Sequence, residues 1–200
     1  MGEASRRKAE IALIKARNEK WLSSLSEQEK IVATVALATY DKIVDGLGMT
    51  EGCYNLAFFL YEHLRRKYGI GVRIVVGWIN DGEWDGAASH AWVEYQGKKI
   101  DISLHKTSHS HAQPPGDLII LDHTYKQGKA SYTYWEVLPE SAAKVLDNMR
   151  SDPEYAPILA HKQMEHGLML ARSSSPDGVE EYFKGVPYAN KYETLARIVG

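Results

Sequence analysis

The only cysteine in the chain, Cys53, lies at the start of a stretch that reads as an amphipathic helix, and His90 and Asp101 follow on two stretches that read as strands. In that order and on those elements the three supply a nucleophile, a base and an orienter. A thiolate attacks an amide carbonyl, an imidazole moves the proton, and a carboxylate fixes the imidazole tautomer. Free cysteine titrates near pH ~8.5, so a reactive one needs help to ionise. Thr50 reads as a helix N-cap, which places Glu51, Gly52 and Cys53 at the first three helical positions. Unpaired backbone N–H groups and the positive end of the helix dipole would then favour thiolate there. Gly52 would leave room for a substrate backbone to approach. The Cys53 backbone N–H is one expected oxyanion donor; Gln28, Asn55, Trp78 and Asn80 are candidates for a second.

Whether the imidazole and the carboxylate can meet is a question of hairpin register. A two-residue turn at Gln96-Gly97 pairs Tyr95 with Lys98 and therefore Trp92 with Asp101. Side chains alternate along strands, so His90, Trp92 and Asp101 share a face. Asp101 is then a diagonal neighbour of His90 at a Cβ separation somewhat under ~8 Å. A three-residue loop would turn Asp101 to the opposite face and break the set.

The elements that must hold these residues read as follows. Residues 3 to 25 form a helix with Ile11, Leu13, Ile14, Trp21, Leu22 and Leu25 as its apolar stripe. Ser26-Glu27-Gln28-Glu29 has capping-box spacing and starts a second helix running to about Val44, which buries Ile31, Val35, Leu37 or Ala38, and Ile43. The helix carrying Cys53 runs to Lys67, closes at Gly69, and turns Leu56, Phe59, Leu60, Leu64 and Tyr68 inward. Val72 to Ile79 is a strand apolar enough to be central. A Gly- and Asp-rich loop carries Trp84, then comes the His90 hairpin. Asp117 to Leu121 and Ser131 to Leu138 read as further strands, and residues 139 to 200 as short helices broken at Asp152-Pro153, Ser173 to Pro176 and Gly185 to Pro187. The expectation is an α+β single domain over 1–200: N-terminal helices in 1–48, a catalytic core in 49–138 on a small, mostly antiparallel sheet, and a helical extension in 139–200.

Composition narrows the function classes. The chain is 44% hydrophobic and 25% charged, with net charge −2, so nucleic acid is not an expected partner. No apolar run is long enough for a membrane span. The N-terminus lacks the apolar core of a secretory signal, and Arg6 stands where a myristoylation site needs Ser or Thr. One cysteine makes no intramolecular disulfide, which fits a reducing compartment, and the cytoplasm is the expected location. No cofactor is called for. His105, His109 and His111 sit in an irregular loop without a carboxylate pattern, and His161 and His166 are five apart rather than four, so no metal site is expected. Asp122-His123 is an alternative base pair to His90. Among the tryptophans, Trp78 and Trp92 default to core but border the site, and Trp84 is the one expected to line a groove or lid.

Gly52-Cys53-Tyr54-Asn55-Leu56-Ala57, Gly69-Ile70-Gly71-Val72-Arg73-Ile74-Val75-Val76-Gly77, Ser89-His90-Ala91-Trp92-Val93-Glu94 and Ile100-Asp101 together resemble the core of the transglutaminase-like superfamily. The resemblance covers about residues 50 to 104; the flanks match no particular subfamily. It implies a papain-like core in which Cys53, His90 and Asp101 hold the catalytic positions. The implied chemistry is acyl transfer from an amide of a peptide or protein through a thioester, with no cofactor. Water as acceptor gives a peptidase or deamidase, and a lysine amine gives crosslinking. A non-catalytic binding module on the same fold, or a metal-dependent hydrolase using the histidine-rich loop, are the competing classes.

Overall fold

A computed structural model describes residues 2–200. Its seven α-helices and six-stranded antiparallel sheet make an α+β fold. Helix α1 (Glu3–Ser24) and α2 (Glu27–Thr39) precede a π-helical continuation, Tyr40–Asp45. Helix α3 (Cys53–Tyr68) carries the thiol. Strands β1 (Arg73–Asn80), β2 (Ala88–Tyr95), β3 (Lys98–Asp101), β4 (Leu118–Ile120), β5 (His123–Lys126) and β6 (Thr133–Trp135) come next. Helices α4 (Glu140–Arg150), α5 (Ala156–Ser173), α6 (Pro176–Gly185) and α7 (Tyr192–Val199) complete the chain. The strand order is β5-β4-β3-β2-β1-β6. No helix is long and apolar enough to cross a membrane among the described residues.

Local chemistry explains most of these boundaries. Ser26 and Glu29 form the expected reciprocal capping box at the start of α2. Gly69, at φ 64°, ends α3 in the left-handed conformation that a side chain disfavours. Tyr95 pairs with Lys98 and Val93 with Ile100, with Gln96 and Gly97 both at positive φ (50° and 77°). This is the two-residue turn whose twist suits a hairpin. The register on which the His90–Asp101 pairing depends is therefore the one observed.

Apolar side chains of α3 (Leu56, Phe58, Phe59, Leu60, Leu64) pack with Val32, Val35 and Ile43 and with the sheet residues Ile74, Val76, Ala91, Val93, Ile100 and Ile120. Each such fully buried side chain contributes about 1.5–3 kcal/mol. The same cluster continues into Met169, Val179, Phe183 and Leu195, so the C-terminal helices share the core of the sheet.

Several expectations are corrected. Ile11, Leu13 and Ile14 of α1 are exposed, and only Trp21, Leu22 and Leu25 reach the core. The helix earns its place at its C-terminal half, where Arg17 and Asn18 donate to the Thr124 and Tyr125 carbonyls and Trp21 stacks on His123. There it covers β5, an outer strand whose free edge would otherwise be open for pairing. Tyr68 is 39% exposed rather than inward-facing, because it occupies the last helical turn. Strands β4 and β6 are shorter than their apolar stretches, and β5 forms where a loop is expected. The β4–β5 turn places Leu121 and Asp122 at positive φ with neither a glycine nor an asparagine to announce it.

Candidate active site

Helix α3 begins two residues later than Thr50 suggests: Gly52 is the N-cap, and Cys53 is the first helical residue rather than the third. Glu51, at φ 57°, turns the chain away before the helix can start, and the Thr50 hydroxyl bonds Ser108 instead of capping. Cys53 nonetheless remains among the helix-start residues whose N–H groups have no intrahelical acceptor. It is partly exposed. Gly52 carries a packing constraint of its own, since a Cβ there would meet Met49 Sδ at 2.9 Å.

His90, on β2, is 2% exposed, and Asp101, closing β3, is 1% exposed. Their Nε2–Oδ2 distance is 2.7 Å. Burial by itself would push the His90 pKa down; the Asp101 carboxylate and then Cys53 outweigh it and carry the imidazole up to about 10. Asp101 meets the same opposition: burial favours its neutral form, but His90 and Ser103 hold its pKa below the ordinary value. With Nε2 engaged by the carboxylate, Nδ1 is the nitrogen left for the sulfur.

Asp101 is saturated with donors. Besides His90, it accepts from the Ser103 N–H (2.9 Å) and hydroxyl (2.8 Å) on Oδ1, and from Tyr134 OH (2.8 Å) on Oδ2. A carboxylate so surrounded cannot rotate without breaking several charge-assisted hydrogen bonds. Sequence reasoning missed both partners. Ser103, two residues after an aspartate, had an available signal, because Asp side chains accept from the backbone two residues on. Tyr134 had none: it arrives on β6, which pairs with β1 through Ile79. Gly77 permits that approach, since a Cβ there would lie 2.3 Å from the Trp135 carbonyl oxygen and 2.8 Å from the Trp92 ring.

Cys53 and His90 open onto a cleft of about 490 Å³, within the range of ligand sites. Gly52, Trp78 and Trp84 also line it, as does a wall contributed by α4 and α5. Trp84 is 40% exposed, and its loop is tied by the Asn80 amide, which donates to the Trp84 and Gly86 carbonyls. Trp78 stacks on His166 of α5 (4.3 Å between centroids). His166 Nδ1 in turn pairs with Ser89 Oγ, which pairs with Tyr54 OH at 2.6 Å. Burial lowers the His166 pKa. This chain of contacts, also unforeseen, fastens α5 to α3 and β2.

Trp92 does not belong to the cleft. It is 3% exposed and lies edge-on to Tyr134, with its indole N–H donating to Glu94, so it backs the His90–Asp101 pair. The shared face deduced from the register is correct, but at Trp92 that face is covered. Of the candidates for a second oxyanion donor, Gln28 is engaged by Tyr95, Asn55 is buried and donates to the Asn190 carbonyl, and Asn80 is spent on its loop. Trp78 alone among the four lines the cleft. His123 is held by Trp21 and Asn18, and His105 bonds the Gly116 carbonyl, so neither joins the site. Among the described residues no three His, Cys, Asp or Glu side chains are grouped to hold a metal ion. Comparison with protein-family models, with curated proteins and with solved structures finds no match to this chain.

Proposed function

We infer that this chain is a cysteine-dependent acyl-transfer enzyme with a papain- or transglutaminase-like core, hydrolysing an amide of a peptide or protein through a thioester. The observation that carries the reading is the buried 2.7 Å His90–Asp101 pair, which shares a cleft with the Cys53 sulfur at the start of α3. Structural ion pairs also perturb titrations, but few place a thiol at a helix start beside an oriented imidazole at a cleft floor.

In the proposed cycle the Cys53 sulfur attacks the carbonyl carbon and the carbonyl electron pair moves to oxygen. The Cys53 backbone N–H at the start of α3 faces that developing charge. Imidazolium His90 gives its proton to the departing amine as the C–N bond breaks, leaving a thioester. His90 then takes a proton from water, the hydroxide adds to the thioester carbonyl, and the C–S bond breaks to release the acid and restore the sulfur. Asp101 keeps Nε2 protonated throughout, so that Nδ1 does the exchange. Water is the simplest acceptor; a lysine amine in its place would make the same intermediate a crosslinking reagent.

Turnover of a peptide library by the native chain and by Cys53→Ala tests the reading. Product formation that disappears with the sulfur supports it. Alkylation by iodoacetamide at about pH 6.5 adds an assay that needs no substrate, and the rate should fall roughly tenfold or more in His90→Ala. Turnover that survives Cys53→Ala, or alkylation indifferent to His90, would refute the reading and leave a binding module on the same fold.

A further inference from the structure

Helices α4 and α5 do not approach the catalytic side chains with a uniform surface. Leu146 and Met149, one turn apart on α4, and Leu159 near the start of α5 line the cleft together with the Trp84 indole. The same cleft is also lined by Gly52, Ser89 and Ser103, which are small or hydroxylic, and by the charged Lys106, Lys162 and Glu165. The cleft therefore offers polar groups that suit a peptide backbone and apolar surface that suits a side chain.

The apolar lining is built rather than incidental. The Trp84 ring occupies the space over Gly86, where a Cβ would lie 2.0 Å from it, and Asn80 fixes the carbonyls of both residues. Leu146 is 4% exposed and so presents a fixed floor. Met149 is partly exposed, and its unbranched thioether can adapt to occupants of different shape. Opposite, His166 stacks on Trp78 and bonds Ser89, which holds α5 at a set distance from the sheet.

We propose that Trp84, Leu146, Met149 and Leu159 form a specificity subsite for a bulky apolar side chain (Leu, Met, Phe or Tyr) of an extended peptide, next to the amide that Cys53 attacks. This deepens the functional reading above and rests on it. A volume of about 490 Å³ holds such a side chain together with a short stretch of backbone. Discrimination should be strong against glycine, which leaves those four apolar surfaces uncovered. Among large apolar residues it should be weaker, because each of them covers the same surfaces and the Met149 thioether can adapt to their different shapes.

The test uses peptidyl vinyl sulfones carrying Phe, Leu or Gly next to the electrophile, with labelling of Cys53 followed by intact-protein mass spectrometry. For the native chain, Phe and Leu probes should label at least ~10-fold faster than Gly. In Leu159→Gln and Met149→Gln, both partly exposed positions, the Phe/Gly ratio should fall at least threefold. Taking the ratio within each protein cancels any general loss of reactivity, and thermal melting confirms folding. Equal labelling across the series, no labelling by any peptidyl probe, or a ratio unmoved in both variants overturns the subsite. The iodoacetamide comparison between the native chain and His90→Ala is run alongside. If it shows no dependence on His90, the catalytic reading fails and the subsite with it; if dependence persists while the ratios are flat, only the subsite falls.

Discussion

Two buried histidines bracket the range of what burial can mean in this molecule. His90 (2% exposed) is bonded to a carboxylate, flanked by a thiol and carried upward in pKa. His63 (1% exposed), in the middle of α3, has neither ring nitrogen paired and is enclosed by Phe59, Tyr68 and Tyr192. Burial there lowers its pKa, and Lys67 adds to the effect. The two sit at similar depth and titrate in opposite directions. Depth therefore does not set the direction of the shift; a carboxylate on one ring nitrogen does.

The comparison can be broken in four ways, of decreasing size. Removing the sulfur or the imidazole (Cys53→Ala, His90→Ala) should lower peptide turnover about 10⁴-fold, whereas His63→Gln should leave it within about twofold. Steady-state kinetics on the best library peptide decides this. Asp101→Asn should cost about 3–5 kcal/mol in urea denaturation, because four donors lose a charged acceptor and one amide N–H₂ is turned toward them. Tyr134→Phe removes one hydrogen bond to that carboxylate and should cost about 1.5–3 kcal/mol by the same measurement. His63→Leu replaces two unpartnered polar atoms with hydrocarbon and should stabilise by about 1 kcal/mol.

Titration sharpens the contrast through its sign. The folded-state pKa of His90 lies above its ordinary 6.5, so its stabilisation is complete below that value and is lost as the pH rises through about 10. Asp101, lowered from 3.8, gives stabilisation that is present above that value and is lost as the pH falls through its folded-state pKa. His63 is lowered from 6.5, so its neutral burial is without cost above that pH and is increasingly destabilising below it. Urea midpoints measured from about pH 5 to pH 9 should show His63→Leu flattening the acid side and Asp101→Asn flattening the alkaline side. The reverse assignment would invalidate the comparison.

How far the site could be read from sequence depended on whether its determinants were local. The β2–β3 hairpin was legible because Gln96-Gly97 sets a two-residue turn and the turn sets the face of Asp101. The β4–β5 hairpin has the same loop length but was invisible. Its left-handed residues are Leu121 and Asp122, held by tertiary bonds: the Asp122 carboxylate accepts from the Lys99 N–H, and the Asp122 N–H donates to the Lys99 carbonyl. The start of α3 was misplaced for a similar reason, since nothing in Thr50-Glu51-Gly52 announces a left-handed glutamate. Trp92 shows the other limit: periodicity tells which side chains share a face, not whether that face stays open once Tyr134 arrives. The α5 wall, joined to the sheet through His166, is a contact between distant parts of the chain that no local pattern encodes.

The bare backbone at Gly77 gives the His90–Asp101 pair an unexpected dependency. It allows an outer strand to lie so near β1 that the Trp135 carbonyl oxygen fills the place a methyl would take. The same strand delivers the Tyr134 phenol to Asp101. A single added carbon on β1 would thus loosen the carboxylate that pairs with the imidazole, while leaving sulfur, ring and cleft chemically unaltered.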